Sequence, residues 1–298
     1  MPDLRFSVVI PTYNRYTLLR QCLQALQEQT YPAYEIIVVD DASSDETPHT
    51  LPKEFPTVRY IRLPQRSGPA TARNVGIQTA SGDIVAFTDD DCRVPPYWLE
   101  TLAEAFTEHP DVVGVGGYQE APDEILEKDI FAQAEQFMRA QRWQGRHIAP
   151  QKGGFEVPGF GTNNAAYRRE VLLSVGGFDE TFTSAAAEDT DLKWRICEQG
   201  YQLLYLPLKV DHYHTETVGS AWRRHIYRGI GAYDFGKKRG KAPSLVRIAL
   251  RSIKRTLRLG KHLVQTDPRI AFIVYMKSMA DVVGQYRAWQ NDDERKFL

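Results

Sequence analysis

The most chemically loaded stretch of the sequence is Thr88-Asp89-Asp90-Asp91, three carboxylates in a row after the apolar run Ile84 to Phe87. Adjacent like charges repel, so a cation is the natural partner; a divalent, oxygen-seeking ion such as Mg²⁺ or Mn²⁺ would then bridge a carboxylate to a diphosphate. A solvated acidic turn is the plain alternative. A second cluster, Asp40-Asp41-Ala42-Ser43-Ser44-Asp45-Glu46-Thr47, also follows an apolar run. Ser43 or Ser44 suits a helix N-cap with acidic residues behind it, which leaves Asp40 and Asp41 to accept hydrogen bonds from a base or ribose. Arg73 could face an anionic ligand or simply solvent. Glu188-Asp189-Thr190-Asp191 opens a helix, either as partners of its dipole or, behind the small-residue run Ser184 to Ala187, as a carboxylate delivered into a crevice. His212 and His214 sit at alternate positions of an extended run, so their rings point the same way. That suits a metal site, with one ligand expected of the pair and a packed imidazole the alternative.

These groups need elements that bring them together. Short apolar runs, Phe6 to Ile10, Glu35 to Val39, Val58 to Leu63 and Ile84 to Phe87, alternate with helix-length amphipathic segments. Between the first two, Leu18, Leu19, Cys22, Leu23 and Leu26 recur at helical spacing. This is the pattern of a parallel sheet with crossover helices, an α/β class. The strands end in Pro11-Thr12-Tyr13-Asn14, Asp40-Asp41 and Thr88 to Asp91. In open α/β sheets ligands bind outside the carboxyl ends of the strands, so these clusters are expected along one edge. Further on, Val112 to Gly117 reads as a strand, Glu124 to Trp143 as helical and Gly153 to Gly161 as a glycine-rich loop. Pro69 and the small residues after Gly68 mark a helix start that can approach the sheet closely.

The 298 residues are 42% hydrophobic and 25% charged, enough for one large globular domain with an appendage. A net charge of -1 gives no reason to expect a nucleic-acid partner. Cys22, Cys92 and Cys197 match no metal or redox spacing, which points to a reducing compartment. The start of the chain lacks the pattern of a secretory signal, and no apolar run approaches the roughly 18 residues of a spanning helix. The expected location is therefore cytoplasmic.

Taken together the motifs resemble the family-2 glycosyltransferases, inverting and nucleotide-sugar dependent, with the GT-A fold. The matching stretches are SVVIPTYNR at 7–15, VDDASSD at 39–45, ARNVG at 72–76, FTDDD at 87–91, GTNNA at 161–165, GGFDE at 176–180 and Glu188-Asp189. The resemblance implies a mixed, mainly parallel Rossmann-like sheet flanked by helices over residues 1–214, nucleotide-binding in 1–118 and acceptor-binding in 119–214. It further implies that Pro11, Thr12, Tyr13, Arg15, Asp40, Asp41, Arg73 and Asp89 hold the nucleotide, and that Asp90, Asp91 and His212 hold Mn²⁺ or Mg²⁺. Asp189 matches the catalytic base, with Glu188 beside it, and Gly161, Thr162, Asn163, Asn164 and Asp191 fall on the acceptor side. The family's metal motif is usually Asp-X-Asp, and the run of three leaves open which pair acts. The expected reaction moves a sugar from a nucleoside-diphosphate donor, uridine first among the bases, to a glycan or lipid-linked acceptor in cell-surface polysaccharide or glycoconjugate synthesis. A polyprenyl-phosphate sugar synthase and a non-catalytic nucleotide-sugar scaffold are the alternatives.

Residues 215–298, outside the resemblance, read as a helical basic extension interrupted by a loop at Gly236 to Pro243. Between Trp222 and Ile270, Lys and Arg outnumber acidic residues 14 to 2. Arg247, Arg251, Lys254, Arg258 and Lys261 form a basic stripe, offset from an apolar one through Leu245, Ala249, Ile253 and Leu257. Such a helix is expected either to attach peripherally to an anionic membrane surface, at the inner face of the cytoplasmic membrane, or to pack on the main domain.

Overall fold

The computed structural model describes residues 4–145, 148–182 and 186–294. Ser184 and Ala185, of the small-residue run before Glu188, lie outside the described residues. The chain forms two compact units. The first comprises residues up to Pro122, Trp143–Glu180 and Asp189–His214; the second comprises Asp123–Arg142, Thr181–Glu188 and residues from Thr215 on.

In chain order the elements are β1 (Phe6–Thr12), α1 (Tyr16–Gln27), β2 (Glu35–Asp40), α2 (Thr47–Glu54), β3 (Arg59–Arg62), α3 (Pro69–Thr79), β4 (Ile84–Phe87), β5 (Cys92–Arg93), α4 (Trp98–Glu108) and β6 (Val112–Glu120). They continue with α5 (Asp123–Leu126), α6 (Ile130–Trp143), β7 (Gln151–Gly153), β8 (Ala165–Arg168), α7 (Arg169–Ser174), α8 (Glu188–Glu198), β9 (Gln202–His212), α9 (Val218–Lys238), α10 (Leu245–Gln265) and α11 (Pro268–Glu294).

One sheet organises the first unit, in the order β3-β2-β1-β4-β8-β6-β9-β5, with β7 also on β9. The β1, β2, β3 and β4 pairings are parallel, β8 runs antiparallel between β4 and β6, and β6 is parallel to β9. Strands β1, β2, β3, β4, β6 and β9 therefore share one direction, and their carboxyl ends share one edge. The inner strands are buried on both faces because helices cover both. Val8 and Ile10 face the α1 and α4 side with Leu19, Leu23 and Trp98, while Val9, Ile37 and Val39 face the α3 and α8 side with Ala72, Ile77 and Ile196. That is why these strands read as continuous apolar runs rather than alternating ones.

Strand β9 is longer than the apolar run at Leu203 to Leu206 suggests. Its pairing with β6 shifts register between Gly116 and Tyr118, where Tyr205 and Lys209 are the successive partners. Pro207, which has no N–H to give a ladder, falls in that irregularity.

The second unit is helical. Glycines set the distance between α9 and α11: a Cβ on Gly229 would sit 2.1 Å from the Asp281 carbonyl oxygen, and one on Gly284 would sit 2.0 Å from that of Ile226. Ala134, Ala221, Ile273, Val274 and Met276 make a small apolar core. Beside it Lys277, fully buried, donates to Glu135 at 2.7 Å and pairs ionically with Glu216 at 2.7 Å, and Arg224 reaches both carboxylates at 2.9 and 2.8 Å. His225 Nδ1 lies 2.9 Å from Asp281. Each buried charge thus meets an opposite one, the condition for tolerating it in an interior.

Helix α3 lies tight on β1, as its small residues imply: a Cβ at Gly76 would be 2.3 Å from Val9 Cγ1. Overpacking of this kind costs roughly 1–3 kcal/mol. Gly76→Ala should lower the unfolding free energy by that amount in urea titration; an unchanged value would show that α3 can shift away freely.

Candidate active site

Strand β4 ends at Phe87, and the chain then places Asp89, Asp90 and Asp91 at the carboxyl edge of the sheet. Asp90 is buried and accepts from Thr12 Oγ1 at 2.8 Å and from Arg15 at 3.1 Å. Arg15 also reaches Asp91 at 2.9 Å, so one cation, at the start of α1, straddles two carboxylates. The third, Asp89, is paired with buried Arg73 of α3 at 2.8 Å. Burial, opposed by Arg15 and reinforced by Asp91, raises the Asp90 carboxyl to about 6. Burial pushes Asp91 the same way, yet His212, Arg15 and His214 overcome it and hold that carboxyl down at about 2.

The two histidines arrive through the short β5–β9 pairing. Cys92 is opposite His212, and Tyr213 N–H donates to the Asp91 carbonyl oxygen at 2.8 Å. His212 Nε2 is 3.3 Å and His214 Nδ1 3.9 Å from Asp91, with the rings stacked at 5.5 Å. Ligand atoms of Asp91, His212 and His214 all lie within 4.8 Å of one another. The expectation of a single histidine is thereby widened: His214 is past the end of β9 but keeps the same facing. Mixed carboxylate and imidazole donors suit Mn²⁺ and its transition-metal neighbours, and the buried carboxyl of Asp90 alongside would be neutralised by the same charge.

The other polar clusters mostly hold their own loops. Asp40 is fully buried, taking Ser43 N–H at 2.8 Å and the Tyr60 hydroxyl at 2.5 Å, and Asp41 takes the N–H groups of Ser67 and Gly68 at 2.6 and 2.9 Å. The expectation that both carboxylates stand spare for a ligand is corrected on this point. So is the helix cap: α2 begins at Thr47, whose N–H bonds Asp45, while Ser43 accepts from Asn14 N–H. What Asp41 does is anchor the 64–68 loop, and Arg66 of that loop lies over the Tyr13 ring at 4.4 Å. Asn14 and Ala42 both have positive φ, 53° and 64°, in the two loops that interlock through Asn14 Oδ1 and Ser44 N–H. Such backbone is held only where the surroundings over-determine it. Pro11 closes β1 beside Thr12.

Asp189 lies in the first turn of α8, one residue after buried Glu188. Its Oδ1 accepts from Thr190 N–H at 2.6 Å, and a Cβ on Gly161 would sit 3.9 Å from its Oδ2, so the 161–163 segment passes directly beside it. Phe160, with φ of 73°, turns its ring into the core and leaves Gly161, Thr162 and Asn163 to follow. Two residues expected on the acceptor side point elsewhere. Asn164 accepts from Trp98 Nε1 at 2.9 Å and donates to the carbonyls of Tyr118 and Leu208, which uses both its N–H groups. Asp191 is 2% exposed and bonds Arg195 at 2.7 Å; Arg195 in turn donates to the carbonyls of Val175 and Gly177. Both pin the fold because a buried polar side chain must find partners. Phe178 is core, edge-on to Phe87 at 5.4 Å.

Lys193 is absent from the sequence-based residues, although one helical turn separates it from Asp189 and that spacing could have found it. It is buried, donates to the Val157 carbonyl and lies over Phe155 and Phe160. Burial lowers its amine to about 8.

A sheet of six co-directional strands with a reversed strand inserted, an acidic triplet behind β4 and a carboxylate at the head of a late helix define a GT-A fold. Among solved structures, a mannosyltransferase from Pyrobaculum calidifontis in complex with GDP-Man and Mn²⁺ shares it, with a TM-score of 0.67 and 22% identity over 95% of this chain and 87% of that one. The profile of glycosyl transferase family 2 matches residues 7–176, and the chain belongs to that family. A glucosyl-dolichyl phosphate glucuronosyltransferase of Haloferax volcanii is 30% identical over 184 residues, 59% of this chain and 56% of its own length. A pre-mycofactocin glycosyltransferase of Mycobacterium tuberculosis is 29% identical over 243 residues, 76% of this chain and 46% of its own. The chain thus spans about half the length of these curated relatives.

Lys193 makes folding stability depend on pH because burial lowers its amine. Between about 8 and the ordinary 10.5 the unfolded chain holds the proton and the folded chain does not, so its contribution to stability rises with pH there. Below that window the full cost of burying the charge is present. Compared with Lys193→Met, the wild type should gain on the order of 2 kcal/mol between pH 7 and pH 10 in urea unfolding. A difference that stays constant with pH would contradict the buried ammonium.

Proposed function

We propose that this chain is an inverting glycosyltransferase that moves a sugar from a nucleoside-diphosphate donor to a hydroxyl of a glycan or lipid-linked acceptor. The observation that supports the reading is the cluster of carboxylates, arginines and histidines around Asp91 at the carboxyl edge of the sheet. In this reading Tyr13, with Pro11 and Arg66 about it, stacks on the base, and Asp41 holds the loop that covers the base. Uridine is the first base to test. Thr12, Arg15, Arg73 and Asp89 order the nucleotide side.

Asp91, His212 and His214, with Asp90 adjacent, would hold Mn²⁺ or Mg²⁺. Such an ion, when bound, neutralises charge on a diphosphate leaving group. Asp189 takes the proton from the acceptor hydroxyl as its oxygen bonds the anomeric carbon and the bond to the diphosphate breaks. One displacement inverts the configuration. Glu188 stands next to the base, and Gly161, Thr162 and Asn163 present backbone to the acceptor. A lipid-linked acceptor would bring the enzyme to a membrane surface, on the side where nucleotide sugars are found; cell-surface polysaccharide or glycoconjugate synthesis is the corresponding role.

Asp189→Asn should lower transfer at least about a thousand-fold while changing nucleotide affinity less than about two-fold, measured by product formation and calorimetry. Normal turnover by that variant would refute the assignment. His212→Ala should raise the Mn²⁺ concentration for half-maximal activity at least about ten-fold; an unchanged metal requirement would remove His212 from the ligand set.

A further inference from the structure

Helix α10 has two unlike faces. Ile248 is buried, Ser252 meets Met279, Arg251 bonds Gln285, and Arg255 bonds the Ser278 carbonyl and approaches Asp281 at 3.7 Å, so this face belongs to the packing against α11. The other carries Val246, Leu250, Ile253, Leu257 and Val264, which are 50% to 88% exposed. Their spacing of four, three, four and seven puts them in one stripe, about 27 Å long at 1.5 Å per residue. Arg247, Lys254, Arg258 and Lys261 run alongside, exposed, and make no ion pair among the described residues. No acidic residue occurs anywhere in Leu245–Gln265.

We propose that α10 lies in the plane of an anionic lipid surface, with those five aliphatic side chains among the acyl chains and the four cations on headgroup phosphates. Charge selects this occupant. A second copy of the helix would press its own uncompensated cations against the first, and a soluble polyanion would pair the cations but leave the aliphatic stripe in water. An anionic bilayer satisfies both faces at once, because its headgroups meet the basic flank and its hydrocarbon begins a few ångströms deeper. The geometry also changes which residues matter. Arg251 and Arg255 are spent on α11, and the buried side of the helix begins at Ile248.

The inference stands independently of sugar transfer and is tested without it. The full chain is sedimented with vesicles of phosphatidylcholine, alone or containing phosphatidylglycerol, in low and high salt. Binding is expected at least about ten-fold tighter to the anionic vesicles and to weaken with salt. Lys254→Gln and Arg258→Gln should each lower it about five-fold, and Leu257→Ser about ten-fold, with helix content by circular dichroism unchanged because all three side chains are exposed. Equal binding to both vesicles, or none to either, would overturn the proposal. So would lipid-free self-association that Leu257→Ser abolishes, since the stripe would then belong to a second copy.

Discussion

Crowding of negative charge at the end of β4 is the constraint on which the rest of the first unit depends. Three successive carboxylates, two of them buried, cannot stay together unless each is given a partner that offsets its charge. The fold supplies partners from three directions: the cations Arg15 from the start of α1 and Arg73 from α3, and the ring nitrogens of His212 and His214 from the end of β9. Each supplier is positioned by a different part of the sheet. The parallel β1–β4 pairing brings Thr12 and Arg15 to Asp90, and the two-residue β5 strand, by pairing with β9, carries the histidines to Asp91.

That arrangement leaves the site poised between two electrostatic states. Asp91 is held ionised by its cationic neighbours, while burial lifts Asp90 to about 6. Neighbouring carboxyls with such different proton affinities mark a place where added positive charge is strongly favoured, and perturbed groups of this kind concentrate at functional sites. In the first turn of α8, Asp189 is steadied by Thr190 and lies beside Gly161, where a Cβ would come within ordinary van der Waals contact of its carboxylate.

The sheet was legible wherever burial on both faces produced an unbroken apolar run, as at Val8 to Ile10 and Ile84 to Phe87. The strands that sequence reasoning passes over, β5, β7 and β8, are two to four residues long and owe their existence to long-range partners. The acidic triplet, Arg73, His212 and Asp189 stood out because carboxylates, a lone cation and aligned imidazoles are costly to place without purpose. Harder to read were Asp40, Asn164 and Asp191, whose side chains serve buried loops: residue type alone does not reveal whether a polar group faces a ligand or an orphaned backbone amide. Lys193 was hidden for the opposite reason, since a lysine on an acidic helix start looks like a solvated residue until Val157 and Phe160 close over it. In the C-terminal unit spacing showed the basic stripe of α10 but only Ile253 and Leu257 of its exposed apolar one, and packing against α11 distinguishes the arginines already engaged from those left to solvent.

In the proposed reaction the acidic edge and the head of α8 serve one bound nucleotide. Anomalous difference density at the manganese absorption edge, from crystals grown with Mn²⁺ and a nucleoside diphosphate, tests it most directly. One peak is expected within bonding distance of Asp91 and His212, with the diphosphate on the side of Gly161 and Asp189. A metal bound elsewhere, or a nucleotide whose phosphates turn away from Asp189, would contradict it.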